Sequence, residues 1–223
     1  MNRAQLVAEI QRKVHHETYT PEVITTFLND IRSRLTSMYC LSPLKTIATV
    51  VTTPESGTVD LPTDFMSGYG RPSLIHVFNQ TSATAPRVCR SLDVLLQHYP
   101  HYGEAGFLEA VATEASDDGA VLHLVKTPAE AQTLKVFYFK KPDDLTVDSD
   151  IPHELPYHLH RSLLVSGACL EIFTEIYEGD MDNASVNLYA NQFGGAVAEL
   201  TRLVEPYPRK AELPTDVMQW DTL

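Results

Sequence analysis

The sequence predicts an α+β chain: a helical unit, made of N-terminal helices and a C-terminal antiparallel helical hairpin, with a small antiparallel β-sandwich or barrel inserted into it. Three observations predict this. Apolar residues recur at three- to four-residue steps as far as Met38, alternate at a period near two from about Leu44, and return to the helical period from Leu155 to Val204. The organisation that follows is 1–43, N-terminal helices; 44–142, inserted β domain; 143–204, linker and helical hairpin; and 205–223, an extended C-terminal tail.

Each element has its own grounds. Leu6, Ala8, Ile10 and Val14 form a loose stripe that predicts a helix from about Ala4 to His15. Thr20-Pro21-Glu22 supplies an N-cap, a proline at the first helical position and an acid in the first turn, so a second helix begins there. Val23, Ile24, Phe27, Leu28, Ile31, Leu35 and Met38 give it one broad apolar face, and Ser42-Pro43 ends it. From Leu44 the β-branched run Thr46–Thr53, a turn at Pro54–Gly57 and the segment Thr58–Leu61 predict a β hairpin. Further strands are predicted at Ser73–Asn79, Arg87–Arg90, Phe107–Glu114, Ala120–Lys126 and Thr133–Lys140, divided by Ser, Gly, Asp and Pro clusters. A short helix capped by Ser91 interrupts them and runs to Tyr99.

The hairpin is the most apolar part of the chain. Leu155, Leu159, Leu163, Leu170, Phe173 and Tyr177 share a helical face that Leu164, Val165, Ile172 and Ile176 widen. Glu178-Gly179-Asp180 offers a stop, and Asp180 or Asp182 can cap a second helix carrying Val186, Tyr189, Phe193, Val197, Leu200 and Val204. A connection that short makes the helices antiparallel, and their apolar surface is expected to exceed what one subunit covers. Gly167-Ala168 and Gly194-Gly195-Ala196 permit close helix approach, although two mid-helix glycines cost about 2 kcal/mol of propensity. The last segment contains Pro206, Pro208 and Pro214, which forbid a continuous helix, yet it carries Leu213, Val217, Met218 and Trp220. An extended tail with apolar anchors suits docking onto a partner.

Composition excludes several classes. With 223 residues, 43% of them hydrophobic, the chain can bury a core. Its start reads as an amphipathic helix and no run approaches the roughly 20 apolar residues of a membrane span, so neither secretion nor membrane insertion is expected. Three cysteines, Cys40, Cys89 and Cys169, lie far apart in apolar surroundings and read as buried free thiols of a reducing compartment. A formal charge of −12 argues against wrapping nucleic acid by phosphate neutralisation.

Nor do the residues assemble a familiar catalytic pattern. The nine histidines include His15-His16 beside Glu17, His98 and His101 around a Tyr-Pro loop, and His153, His158 and His160 near Glu154. None has H-E-x-x-H spacing and no C-x-x-C occurs, so surface and capping roles are expected, with no metal, no cofactor and no catalytic residue. Gly194-Gly195 follows no strand and is not a phosphate loop. Asp117-Asp118-Gly119 lacks the ligand ladder of a calcium loop.

Four pieces in order resemble the head-to-tail adaptor (connector) family of tailed bacteriophages, the tail tubular protein A group. Val51 to Phe65, with Gly57, the alternating strand after it and Leu61-Pro62-Thr63-Asp64-Phe65, is similar to its "L-P-x-D-F" entry to the β domain, and Ser91-Leu92-Asp93-Val94-Leu95 through Tyr99-Pro100 to its short "s-x-d-x-L-x-x-x-Y-P" helix. Val121 to Pro142 is similar to a family hairpin, with Thr127 standing where the pattern has its first proline. Leu155-Pro156-Tyr157-His158 into Leu163–Ala168 is similar to "L-P-x-x-y-h-x-x-L-v-x-G-A". Together these span Val51 to Val204.

The resemblance implies a structural protein of the virion neck, assembled in the host cytoplasm. It implies a dodecameric homo-oligomer ring below the portal protein, which joins the capsid to a tail or nozzle protein and leaves a channel through which genomic DNA passes without specific binding. The residues add that net negative charge would keep phosphate from sticking to such a lumen. In this reading Leu163, Gly167, Leu170, Phe193, Gly194 and Gly195 are the subunit-interface positions, and Leu213, Val217, Met218 and Trp220 dock on the portal. A second reading, of a different class, is a carbohydrate- or protein-binding accessory module whose β domain presents Tyr69, Tyr99 and Tyr102 to a ligand.

Overall fold

A computed structural model describes residues 1–66, 73–116, 119–178 and 183–204. The chain is α+β and divides into two compact units, Met1–Leu35 with the described part of Asp144–Leu223, and Thr36–Asp143.

The helical unit begins with α1, Arg3–Val14, closed at its start by a capping box: the Asn2 side chain accepts from the Gln5 backbone and Gln5 reaches back. Leu6, Val7, Ile10 and Val14 form its buried face. His15 ends it in the left-handed conformation at φ 48°. Helix α2, Pro21–Met38, starts at the proline, with Thr20 Oγ1 accepting the Val23 N–H at 3.4 Å. Ile24, Leu28, Ile31 and Leu35 are its buried stripe, whereas Val23 and Met38, expected on the same face, are exposed.

The first rod of the hairpin is composite. A 3₁₀ turn over Tyr157–Leu159 follows Pro156, a π turn covers Arg161–Val165, and α4, Ser166–Ile176, completes it. The Ser166 N–H reaches back five residues to the Arg161 carbonyl, the signature of the π turn. Helix α5, Ala184–Leu203, is capped by Asn183, whose side chain accepts from the Ser185 N–H. Neither Asp180 nor Asp182 is the cap; they and Gly179 lie outside the described residues. Phe173 stacks on Tyr189 at 5.4 Å and Ser166 Oγ bonds Gln192 Oε1 at 3.1 Å, so the two rods run antiparallel.

In the β unit, sheet A has the order β1-β7-β3 and sheet B the order β2-β6-β5-β4. The strands are β1 Lys45–Val51, β2 Thr58–Asp60, β3 Leu74–Asn79, β4 Arg87–Val88, β5 Ala110–Ser116, β6 Gly119–Val125 and β7 Thr133–Phe139. Both hairpins expected from the sequence are absent. β1 pairs with β7 and β2 with β6, so the predicted β1–β2 hairpin is a crossover between sheets. β6 and β7, predicted to pair within Val121–Pro142, also lie in different sheets. The physical reason is that alternation specifies which face of a strand is buried, not which strand lies beside it. One pair, β4 with β5, is parallel rather than antiparallel.

Alternate residues from both sheets share one core, with Val77, Leu134 and Val136 of sheet A meeting Val111, Leu122 and Leu124 of sheet B. The outer face of sheet B is covered in turn. Helix α3, Leu92–His98, capped by Ser91, drops Leu95 onto Ala110, Ala112 and Val125, with Tyr99 and Tyr102 beside it.

Candidate functional site

The hairpin of α4 and α5 is where the candidate interface residues lie, and their surroundings divide them into two groups. Leu163 is fully buried, and Gly167 is buried beneath two side chains of its own unit. A Cβ on Gly167 would stand 3.1 Å from Ile31 Cδ1 and 3.1 Å from Phe193 Cε2. The close approach expected of Gly167 is therefore made, but to α2 and α5 of the same subunit. The expectation that this rod carries more apolar surface than one subunit covers needs correcting. Leu163, Leu164, Val165, Ala168, Cys169 and Ile172 are each at most 1% exposed, because the unit folds its own helices over the rod. Leu163 and Gly167 are consequently internal packing positions, while Leu170 and Phe193 are half-buried.

Gly194 and Gly195 are different. Both are exposed, and a Cβ on either would meet no atom within 4 Å. Asn187, Leu188, Asn191, Ala198, Glu199 and Arg202 are exposed with them on the outer side of α5. Two exposed glycines in a 20-residue helix weaken it by about 1 kcal/mol each, and nothing inside the subunit requires them.

Beneath the hairpin lies a buried polar network. Arg32 Nε donates to Glu154 Oε1 at 2.6 Å, both side chains being nearly inaccessible, and Arg32 Nη1 donates to Asn29 Oδ1 at 3.0 Å. Asn29 Oδ1 also accepts the Leu145 N–H at 2.9 Å. This ties α2 to the segment that returns the chain from the β unit. Breaking such a pair strands a buried charge at about 3–5 kcal/mol.

His160 sits alongside and is buried, not at the surface as expected. Its Nε2 lies 3.1 Å from the Leu155 carbonyl and its Nδ1 3.0 Å from the Met1 amino group. Only the neutral ring with the proton on Nε2 fits both, since Nδ1 faces a donor. Burial lowers its pKa, and the neighbouring amino group adds to that. No spacing rule marks this residue, because what buries it comes from the far end of the chain.

The other titratable groups are held locally. The Cys169 thiol is pushed up to about 11 by burial, which makes it inert, and burial also raises Cys89. All three cysteines are buried. The linker acids are engaged nearby: Asp143 with Lys140 at 2.8 Å, Asp148 with Arg3 at 2.5 Å, and Asp150 accepting the Thr146 and Val147 N–H groups. Those backbone bonds keep Asp150 below the usual carboxylate range.

On the β unit the aromatic residues expected to meet a ligand are occupied. Tyr99 and Tyr102 pack on the cluster under α3, and Tyr102 Oη bonds His123 Nδ1 at 2.9 Å, with His123 Nε2 2.8 Å from Glu114. Tyr69 lies outside the described residues. The Leu61–Phe65 motif is structural: Leu61 N–H bonds Ala120 of sheet B, while Asp64 accepts Tyr138 Oη at 2.7 Å and Phe65 stacks on Tyr138 in sheet A. Among the described residues no group of three or more His, Cys, Asp or Glu could hold a metal ion, and no helix is long and apolar enough to cross a membrane. Leu213, Val217, Met218 and Trp220 lie outside the described residues.

Residues 1–213 match a family model described as SU10 adaptor protein. No curated protein matches the chain.

Proposed function

We propose, proceeding from the fact that this chain belongs to the SU10 adaptor protein family, that it is the head-to-tail adaptor of a tailed phage and acts by assembly rather than by chemistry. The single observation that carries the reading is the family match over residues 1–213, which takes in both the helical unit and the inserted β-sandwich. In this reading copies of the chain form a ring, a dodecamer, in the virion neck. The ring sits below the portal, receives a tail or nozzle protein on its other side, and leaves a channel for genomic DNA.

The contact between copies is assigned to the outer side of α5, where Gly194 and Gly195 are exposed without an internal reason. A neighbouring helix laid against them would approach closely, and each contact would repeat around the axis. Leu170 and Phe193 are half-buried apolar residues of the two rods. The tail 205–223 is assigned to the portal, with Leu213, Val217, Met218 and Trp220 as anchors. The net charge of −12 favours a lumen that repels phosphate.

The test is imaging and native mass of the chain mixed with portal protein. Rings on the portal are expected, lost on deleting residues 205–223 or in Trp220→Ala while the subunit stays folded. Portal mixtures that contain only monomeric chain would overturn the reading, and a truncated chain that attaches as well as the full one would move docking elsewhere.

A further inference from the structure

A second surface of the helical unit has a different chemistry. Lys13, His158, Arg161, Ser162, Ser166 and Gln192 line an open cleft of about 430 Å³ over Val165. No side chain in that lining is a carboxylate; the Ser162 hydroxyl donates to the Leu159 carbonyl and the Ser166 hydroxyl to Gln192 Oε1, which leaves Lys13, Arg161 and the Gln192 amide N–H as the donors towards the opening. In a chain with 29 acidic and 17 basic residues, such a grouping runs against the average charge.

The cleft is also built from unusual backbone. Arg161, Ser162 and Val165 belong to the π turn and Ser166 follows it directly. π turns are rare, cost hydrogen-bond geometry, and recur at functional sites. Here the turn brings Arg161, Ser162 and Ser166 to one opening. The cations are held in place before any ligand arrives. Lys13 Nζ lies 5.4 Å from the centre of the Tyr189 ring, and Arg161 is braced by Glu9 through Nε at 2.7 Å and Nη2 at 2.5 Å. That brace leaves Nη1 out of the pair. His158 faces Glu199 at 3.5 Å, so Glu9 and Glu199 are the counter-charges that a ligand must compete with.

We propose that this cleft binds a phosphate group. A phosphate offers several acceptor oxygens and at least one negative charge, which suits the Lys13 ammonium, the Arg161 Nη1 group that Glu9 leaves out and the Gln192 amide N–H at one opening. Two sources share that chemistry, a free phosphorylated small molecule and a nucleic-acid backbone. The lining does not include Gly194 or Gly195, although Glu199, which faces His158, lies on the same outer side of α5; the test does not need assembly, so its failure and that of the ring reading are distinguishable.

The experiment is calorimetric titration of the full chain with sodium pyrophosphate at constant ionic strength, in parallel with a 12-nucleotide single strand. Saturable binding of pyrophosphate to one site per chain is expected. It should weaken at least tenfold in Lys13→Gln and in Gln192→Glu, which places a carboxylate in the cleft. Gln192 and His158 are exposed, so Gln192→Glu and His158→Gln leave the core untouched and serve if Lys13→Gln fails to fold. A strand that binds more tightly than pyrophosphate, with the same sensitivity to these variants, identifies the nucleic-acid backbone as the source; a strand that binds no better identifies a small phosphate ligand. Absence of saturable pyrophosphate binding, or binding that the folded variants leave unchanged, overturns the proposal.

Discussion

His160 shows how one residue can link stability to pH. It is buried and neutral, and its pKa is lowered from an ordinary value near 6.5, chiefly by desolvation. The unfolded chain takes up this proton near 6.5 on acidification, whereas the folded chain resists until its lower pKa is reached. Stability from this group is therefore complete above about pH 6.5 and declines as pH falls through the window beneath it. Denaturation at pH 7.5 and at pH 5 should show a larger loss for the native chain than for His160→Gln, and equal losses would remove the assignment. The sequence made the three cysteines legible as buried thiols, because apolar neighbours in the chain announce burial. It did not make His160 legible, since its cover comes from Met1 and from Leu155 across a proline, and no local pattern reports that.

At the level of elements, the glycines of the hairpin behave oppositely although both sets sit in helices. Gly167→Val would drive a branched side chain against Ile31 and Phe193 at a position where even a Cβ is tight, at a cost of about 1–3 kcal/mol. Gly195→Ala meets open space and should raise the stability of the subunit by about 1 kcal/mol. Chemical denaturation of the isolated chain reads both signs, and a destabilised Gly195→Ala would show that this position is constrained within the subunit. Helices were the most legible elements. Pro21 to Met38 follows from a cap, a proline and a 3.6-residue stripe, all of them local. The π turn was not legible, because one inserted residue leaves the apolar spacing almost unchanged. Strand positions were legible to within a few residues, but their partners were not: β1 and β2 are joined by a turn and still belong to different sheets. The Leu61–Phe65 motif explains the crossing, since Leu61 bonds sheet B and Phe65 stacks in sheet A.

For the molecule as a whole, the α+β class and the kinship with phage adaptors were both legible, because a change of period marks the insertion and short motifs in order mark the family. The register of β1 adds a consequence for folding. Lys45, near the start of the β unit, pairs with Phe139, near its end, and the Lys140 N–H bonds the Leu44 carbonyl at 2.9 Å. The chain thus enters and leaves the β unit on adjacent strands of one sheet, the arrangement that lets a domain be inserted into another without strain. The unit also has its own core, with Val77, Val111, Leu122, Leu124, Leu134 and Val136 each fully buried. A fragment spanning Thr36–Asp143 should therefore fold alone, with a cooperative transition and a stability of order 5 kcal/mol. Circular dichroism with urea denaturation checks this. Replacing Asp64 by Ala in the fragment should cost about 1–3 kcal/mol, because the Tyr138 hydroxyl then loses its acceptor between the sheets. An unfolded fragment would mean that the sandwich depends on the helical unit for its stability, and the insertion would then be a matter of topology without independent folding.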